Sequence, residues 1–307
     1  VRYHPHYYCK PARFLTQRSQ SVWENPSHTP CSSGLLALCG TLEAMRIVVC
    51  VKHVPDMQSE RRFEDGRIVR GEDDVLNELD ENAIEAAVQL VEDNGGEVIA
   101  LTMGPEDAED ALMRALQMGA DRGVLISDEA LAGADAGLTA LALAGAVQTL
   151  ADEKPIDLVI TGMASLDSMT SMLPAALATR LHFPLLGLAH EISVDTGAST
   201  IEIKRNADGY EDVLSAPMPA VVSVTDQINE PRYPAFAAMK AARKKPMDTW
   251  ELADIEESVA GSAIAQRGQV TEVLESNEIT RDSAGTIIPD SGDAGVRLAQ
   301  YLLEVVK

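Results

Sequence analysis

The chain has 307 residues, of which 46% are hydrophobic, and 25 Lys and Arg face 48 Asp and Glu, for a formal net charge of −23. A field this negative disfavours binding to nucleic acid and to anionic membranes. No apolar run approaches the roughly 18 residues that a transmembrane helix needs. The length is enough for one large domain or two modest ones with a buried core.

Residues 1–44 differ in composition from the rest of the chain. They hold four bases and two acids, and three of the four cysteines (Cys9, Cys31 and Cys39). They show no sustained helical or alternating period. We therefore expect residues 1–44 to be an upstream extension outside the fold, with Met45 as the true start. An organelle-targeting presequence is the alternative, because residues 2–20 contain Arg and Ser and no acids.

The composition of residues 45–307 predicts a compartment and a habitat. Cys50 is their only cysteine, so no intramolecular disulfide can form, and a reducing cytoplasm is expected. His53, His182 and His190 lack the spacing of a zinc site. Acids are abundant and lysines few, which favours a halophilic host, although a high-GC genome would also replace Lys with Arg.

From Met45 onwards, short apolar runs alternate with helical segments. The predicted strands cover residues 46–54, 97–104, 123–128 and 156–162. The predicted helices cover residues 80–96, 105–119, 134–152 and 169–182, the first of them with Asp80 as its capping residue. The polar stretch 56–74 reads as an excursion or hairpin. This alternation predicts an α/β fold with a doubly wound, mostly parallel sheet.

The pattern changes after the fourth helix. Turn sequences DTG and ADG separate alternating runs in residues 186–225, which predicts antiparallel strands that extend one edge of the sheet. Beyond residue 226 come a loop, a basic helical turn, an acidic tail and a short helix at 295–306. This C-terminal segment is interpreted either as an arm that packs on another molecule or as a helix folded back on its own sheet.

Ligands of open parallel sheets bind outside the carboxyl ends of the strands, where the strand order reverses. Three segments fall there: residues 50–56, residues 103–105, and residues 162–171, in which Gly162 is followed by small hydroxyl and acidic residues. Hydroxyls together with the free N–H groups of a helix start form an anion cradle. Ordinary helix capping is the alternative. No GxGxxG, Walker, nucleophile-elbow or HExxH motif is present, so from these features alone nucleotide binding stays open.

Three longer segments carry a resemblance to a known family. LNELDENAIEAAVQL (76–90), ALQMGADRG (115–123) and the run at 201–236 that contains PAVV and NEPRY resemble the β subunit of electron transfer flavoprotein (ETF). The resemblance covers residues 45 to about 245. It implies an adenine nucleotide alpha hydrolase-like fold and a heterodimer with an ETF α subunit that binds most of the FAD.

The resemblance also implies a role in electron transport and fatty acid oxidation. Electrons would pass from acyl-CoA and related dehydrogenases, through the FAD, to an ETF-quinone oxidoreductase, and the β subunit would bind AMP without being an enzyme itself. The AMP contacts that it implies are Cys50, Asn77, Glu78, Leu79, Asp80, Met103, Gly162, Met163, Ala164, Ser165, Leu166, Asp167, Ser168, Met169, Thr170, Ser171, Met172 and Leu173.

Two alternatives remain at this point. Some relatives hold a second, electron-bifurcating FAD in place of AMP, and their loop reads Asp-Gly-Asp-Thr with a further glycine; residues 167–174 lack that glycine, which leaves AMP and FAD undecided, with AMP favoured. A stand-alone adenine-nucleotide-binding regulator of the universal-stress type is the alternative from a different class of protein.

The resemblance places partner recognition in residues 226–245, at the end of a nucleotide-binding domain that spans residues 45–245. An apolar residue of this loop anchors the dehydrogenase in the family, and Phe236 stands at that position. The basic cluster beside it favours steering toward an acidic partner, or a favourable charge at a helix C-terminus. The predicted partner contacts are Pro234, Phe236, Met239, Lys240, Arg243, Lys244 and Lys245. Residues 246–307 are expected to form the arm, packed on the α subunit.

Overall fold

The computed structural model describes residues 44–59, 62–64, 67–71, 73–255, 271, 273–275, 287 and 289–305. The predicted extension lies, except for Ala44, outside the described residues, and the expectations about it remain predictions.

Short strands and helices alternate through most of the described chain. The strands are β1 (Met45–Cys50), β2 (His53–Pro55), β3 (Phe63–Glu64), β4 (Arg67–Ile68), β5 (Asp74–Leu76), β6 (Gly96–Met103), β7 (Arg122–Ile126), β8 (Leu158–Gly162), β9 (Leu185–Ala189), β10 (Glu191–Asp195), β11 (Thr200–Ala207), β12 (Tyr210–Pro217), β13 (Ala220–Val224) and β14 (Met247–Trp250). The α-helices are α1 (Glu78–Asn94), α2 (Glu109–Met118), α3 (Ala136–Glu153), α4 (Leu173–Leu181), α5 (Phe236–Ala242), α6 (Leu252–Ile255) and α7 (Ala294–Val305).

A seven-stranded sheet in the order β14-β7-β6-β1-β8-β13-β9 forms the centre of the fold. All of its neighbouring strands are parallel. The chain proceeds outward from β1 through β6 to β7 and then crosses back to β8, on the other side of β1. The strand order therefore reverses between β1 and β8. This arrangement confirms the predicted doubly wound α/β fold.

Both faces of the central strands are covered. In β1, Ile47 and Val49 pack into the core that contains α1 and α2, whereas Val48 and Cys50 pack into the core that contains α3 and α4. Each of these four residues is buried. Continuous apolar runs are typical of parallel strands that are buried on both sides, which is why β1 is hydrophobic apart from Arg46.

The predicted antiparallel strands exist, but they do not extend the edge of the main sheet. β10, β11 and β12 form a separate three-stranded sheet, while β9 and β13 join the parallel one. The inward-facing Ile201 and Ile203 of β11 bury themselves in the core on the α1 side, so this sheet covers a face of the domain. The polar excursion contains one small antiparallel ladder, β3–β4, as expected. A second ladder, β2–β5, joins its two ends, so the predicted strand at 46–54 is divided into β1 and β2.

All four predicted helices begin at residues other than the predicted ones: α2 begins at Glu109 and α3 at Ala136, and the starts of α1 and α4 have identifiable causes. α1 begins at Glu78, and Asn77 rather than Asp80 precedes it, because the Asp80 carboxylate accepts from a neighbouring strand end instead. α4 begins at Leu173 and not at residue 169. Met169 and Ser171 have φ values of 49° and 51°, in the left-handed region, which interrupts the helical hydrogen-bond ladder before α4 can begin.

The domain extends beyond the predicted boundary at residue 245. Met247–Trp250 pairs with β7 in the main sheet, and the Asp248 carboxylate lies 2.7 Å from Arg122 Nε. The first part of the predicted arm is therefore an edge strand. Further on, α7 exposes nearly all of its residues. Among the helices that the structure describes, none combines the length and the apolar character that a membrane crossing requires.

Candidate functional site

The carboxyl ends of β1 and β8 meet at the point where the strand order reverses. Cys50 ends β1, Gly162 ends β8, and Met103 ends β6 on the other side of β1. Cys50 pairs with Thr161 in the sheet register, so the residue that follows each strand lies at the same edge. The structure thus brings together the three segments that the sequence analysis selected as strand ends.

Asn77 ties the loop after β8 to the end of β1. Its Nδ2 donates to the carbonyl oxygen of Ala164 at 3.0 Å, and its Oδ1 accepts from the Leu166 backbone N–H at 3.0 Å. Its own backbone N–H donates to the carbonyl oxygen of Lys52 at 2.9 Å. Asn77 is fully buried, so the cost of burying its amide is offset by these bonds.

Asp80 and Gly162 form the closest contact between α1 and the sheet. Oδ2 of Asp80 accepts from the Lys52 backbone N–H at 2.9 Å, and the carboxylate also accepts from the backbone N–H of Gly162. A Cβ added at Gly162 would lie 2.5 Å from Asp80 Oδ1 and 2.8 Å from the Leu79 carbonyl oxygen. Only glycine fits at the end of β8, which explains its place at the start of the predicted loop.

Burial dominates the acid–base properties of Asp80 and Cys50. Desolvation raises the pKa of Asp80 to about 7, although hydrogen bonds from its neighbours oppose the shift. Desolvation and the nearby Asp80 raise the pKa of the Cys50 thiol to about 12. A thiol with such a pKa stays protonated and is a poor nucleophile, so Cys50 contributes an apolar wall to the site.

Lys52 and Arg70 converge on Asp167 in the loop after β8. Lys52 Nζ lies 2.9 Å from the Asp167 carboxylate, and Nη2 of Arg70 pairs with the same group. Burial alone would raise the pKa of Asp167, but the Lys52 charge and the hydrogen bonds from both cations outweigh it and lower the pKa to about 2. Asp167 is therefore an ionised, buried partner of two cations.

The predicted hydroxyl residues form a turn and not the first turn of a helix. Ser165 Oγ lies 2.7 Å from Ser168 Oγ, and the Ser165 carbonyl oxygen accepts from the Met169 N–H at 2.8 Å. Thr170 and Ser171 lie at the surface. Of the other predicted contacts, Glu78, Met169 and Met172 are exposed, whereas Leu79, Met103, Met163, Leu166 and Leu173 are half-buried.

The sequence analysis did not select Lys52 or Arg70 as contacts, although Lys52 lies in the strand-end segment 50–56. A signal existed for Lys52, because it stands two residues after the end of β1 and is one of the few lysines after residue 44. No local signal marked Arg70, since its carboxylate partner lies 97 residues away. Within the part of the chain that the structure describes, no group of three or more His, Cys, Asp or Glu residues is placed to hold a metal ion.

The NEPRY segment is fixed to the side of α1. The Arg232 guanidinium pairs with Glu85 and Glu92, each with an N–O distance of 2.7 Å. Asn82 Nδ2 donates to the Asn229 carbonyl oxygen at 3.1 Å, and Asn229 Nδ2 donates back to the Asn82 carbonyl oxygen at 3.0 Å. The hydrogen bonds that the guanidinium donates to Glu92 and Glu85 raise the pKa of Arg232 further. The loop that follows therefore starts from a rigid base.

Some of the predicted partner contacts are exposed, and others are buried or hydrogen-bonded within the domain. Phe236 is 81% exposed at the start of α5, and Lys240, Arg243 and Lys244 are exposed around it, with Met239 half-buried.

Two of the predicted contacts are not available as surface groups. Pro234 is buried. Lys245 Nζ donates to the carbonyl oxygens of Ala120 at 2.6 Å and Leu116 at 3.1 Å, so it caps the C-terminal end of α2. A further exposed aromatic was missed: Tyr233 is 86% exposed, and its ring centre lies 5.6 Å from Arg114 Cζ.

The fold and this crevice define a doubly wound α/β protein with a polar site at its switch point. The family model for the electron transfer flavoprotein domain matches residues 65–255. ETF subunit beta of Mycobacterium leprae is 40% identical over 84% of this chain and 97% of its own length. The chain belongs to the electron transfer flavoprotein β-subunit family, which confirms the resemblance that its motifs carry.

Two further relatives are similar to this chain over different shares of its length. ETF subunit beta of Mycobacterium tuberculosis is 37% identical over 84% of this chain and 97% of its own length. The protein FixA of Azorhizobium caulinodans is 38% identical over 65% of this chain and 73% of its own length.

The replacement Gly162→Ala tests the contact between β8 and α1. The added methyl group overlaps the Asp80 carboxylate and the Leu79 carbonyl, so we expect a loss of about 1–3 kcal/mol in the free energy of unfolding. Gly187→Ala is the matched control, because its nearest heavy atom would be Ser223 Oγ at 3.6 Å, an ordinary contact. Urea unfolding of both variants gives the comparison, and equal stabilities would contradict the steric argument.

The replacement Asp80→Asn tests the raised pKa of Asp80. A folded-state pKa of about 7 lies above the value of about 3.9 in unfolded chains, so the folded state binds the proton more tightly. The stability of the unchanged protein should therefore fall as the pH rises from 4 to 7. Relative to it, Asp80→Asn should gain on the order of 3 kcal/mol between pH 4.5 and pH 8.

Chemical unfolding at several pH values measures this difference. Glu78→Gln, which removes an exposed carboxylate two residues away, is the control for a general loss of negative charge. A stability difference between Asp80→Asn and the unchanged protein that stays constant with pH would show that Asp80 is ionised throughout.

Proposed function

We propose that this chain is the β subunit of a heterodimeric electron transfer flavoprotein. Its crevice binds AMP, and its loop at 226–245 docks dehydrogenases, so that electrons pass through the FAD of the α subunit to an ETF-quinone oxidoreductase. The chain is then an electron-carrier subunit without a substrate of its own. The match to β subunits over 97% of the length of a relative carries this proposal.

The chemistry of the crevice supports a small anionic nucleotide. Lys52 and Arg70 place positive charge at the reversal of the strand order, in a protein that is otherwise strongly acidic. Backbone groups of the loop after β8 and the hydroxyls of Ser165 and Ser168 offer hydrogen bonds beside them. The protonated Cys50 thiol gives no covalent chemistry to compete with reversible binding.

The docking role of residues 226–245 is supported by an exposed aromatic on a fixed base. Phe236 projects from the start of α5, three residues after a segment that Arg232 holds against α1. An aromatic side chain that fills a partner pocket is the usual form of an interface hot spot. The exposed Lys240, Arg243 and Lys244 follow it in α5 and just after it, and they suit a partner with an acidic rim.

The helix α7 supports an arm that packs on the α subunit. Leu298, Tyr301, Leu302 and Val305 follow the spacing of one helix face, and all four are exposed. An amphipathic helix needs a partner for such a face, and in a heterodimer the α subunit is the available one.

The identity of the bound nucleotide tests the proposal. The chain is co-expressed with its α partner, and the purified complex is denatured. The released nucleotides are then separated, identified by mass spectrometry and quantified. We expect one AMP and one FAD for each heterodimer. Two FAD molecules would favour the electron-bifurcating alternative, and a stable monomer that releases ATP would favour the stand-alone regulator.

Phe236→Ala tests the docking surface. Loss of a buried aromatic anchor should lower kcat/KM for reduction by an acyl-CoA dehydrogenase about 10-fold or more, while the FAD content stays the same. Phe63→Ala, which removes an exposed aromatic from the β3–β4 hairpin, is the matched control. Stopped-flow flavin absorbance gives the rates, and unchanged kinetics for Phe236→Ala would refute the docking assignment.

A further inference from the structure

The crevice contains a cluster of three charged side chains, two of which, Lys52 and Arg70, are not among the contacts that the family resemblance implies. Lys52 follows β1, Arg70 precedes β5, and Asp167 lies in the loop after β8. Both cations contact the same carboxylate. Because Asp167 is ionised, the cluster carries one net positive charge, and this charge is local to the edge of the sheet where ligands of doubly wound folds bind.

Exposure shows which part of the cluster reaches the crevice. The Asp167 side chain is 3% exposed, whereas those of Lys52 and Arg70 are 38% and 27% exposed. The acid therefore lies beneath the two cations. An anion that enters the crevice meets positive charge first, with the negative charge of Asp167 buried behind it.

Both cations have more hydrogen-bond donors than their contacts use. The ammonium of Lys52 has three donors, of which one contacts Asp167 at 2.9 Å and another has only a long contact of 3.5 Å with Ser165 Oγ. The guanidinium of Arg70 has five donors; Nη2 contacts Asp167 and Nη1 donates to the His53 carbonyl oxygen at 2.8 Å. Among the residues that the structure describes, none occupies the remaining donors of the two groups, which can therefore bind a ligand.

We propose that Lys52 and Arg70 bind the phosphate group of the nucleotide, and that Asp167 is the positioning residue that holds the two cations side by side. This inference rests on the proposed nucleotide site and assigns its specificity. A phosphomonoester carries about −1.5 to −2 charges at neutral pH, and charge-assisted hydrogen bonds from Lys and Arg are the strong contacts for it.

The surroundings of the cluster favour an anion as well. Asp80, which closes the floor of the crevice, has a pKa raised by burial to about 7, so a large fraction of it is neutral near neutral pH. The paired hydroxyls of Ser165 and Ser168 lie next to Lys52 and add uncharged donors. Repulsion between the floor of the site and a phosphate is thereby reduced.

The experiment compares ligands with and without phosphate. Isothermal titration calorimetry is carried out on the heterodimer after its nucleotide has been removed, with AMP, adenosine, FAD and inorganic phosphate as separate probes. The variants are Lys52→Gln and Arg70→Gln. The matched control is Arg67→Gln, which replaces an exposed arginine of β4 that lies against Gly133 and not against Asp167.

Each of the two crevice variants should weaken AMP binding about 10-fold or more and leave adenosine binding unchanged, because only the phosphate contact is lost. Arg67→Gln should bind both as the unchanged protein does. Asp167→Asn should also weaken AMP relative to adenosine, and Arg70→Lys should restore part of the loss in Arg70→Gln, since the charge returns without the planar fork.

Several results would overturn the inference. One is equal weakening of AMP and adenosine in Lys52→Gln and Arg70→Gln, which would mean that the cations only support the loop. Another is equal affinity of the unchanged heterodimer for AMP and adenosine, which would leave the proposed nucleotide site intact and remove the phosphate contact.

The other probes separate this inference from the proposed function. If FAD or inorganic phosphate bound in a way that depends on Lys52 and Arg70 while AMP did not bind, the phosphate site would stand and the AMP assignment would fail. If no phosphate-bearing probe bound, the phosphate site would fail irrespective of the docking and electron-transfer roles of the chain.

Discussion

The contact between the start of α1 and the ends of β1 and β8 is the constraint on which the crevice depends. The Asp80 carboxylate accepts from the backbone at both strand ends, and Gly162 leaves no room for a side chain between them. Asn77 adds two bonds to the loop after β8. A doubly wound sheet opens a crevice at its switch point by topology alone, but these buried polar contacts determine how its walls are placed.

The same helix also carries the base of the proposed docking loop. Asn77 and Asp80 lie at the N-terminal end of α1, and Glu85 and Glu92 hold Arg232 on the next turns. The crevice proposed for the nucleotide and the segment that leads to Phe236 are therefore attached to one rigid element. The side chain of Glu85 is 5% exposed and that of Arg232 is 34% exposed, so their pair is partly shielded from water, more than an ordinary surface ion pair.

The sequence predicts the sheet better than it predicts the site. Uniform apolar runs and Gly boundaries identify β1, β6, β7 and β8, since burial on both faces leaves a strong pattern. The predicted start of α1 was wrong. Asp80 matches the local sequence rule for a capping residue, but in the fold its carboxylate accepts a hydrogen bond from a strand end. β14 was missed, since a four-residue edge strand is short and only half-buried. The pair of Lys52 with Asp167 joins residues 115 positions apart, a distance that no local pattern spans.

The two carboxyl groups of the crevice explain how an acidic protein can present a local anion site. Asp167 meets two cations and remains ionised, with its pKa lowered to about 2, whereas Asp80 meets backbone donors in a dry environment and has its pKa raised to about 7. Surroundings that shift the pKa values of two carboxyl groups in opposite directions give the two groups different roles. The ionised Asp167 holds Lys52 and Arg70 in place, and Asp80, with its pKa raised, is only partly ionised near neutral pH and adds less negative charge to the floor. The overall charge of −23 then acts at long range and is screened by salt, while the crevice presents positive charge at contact distance.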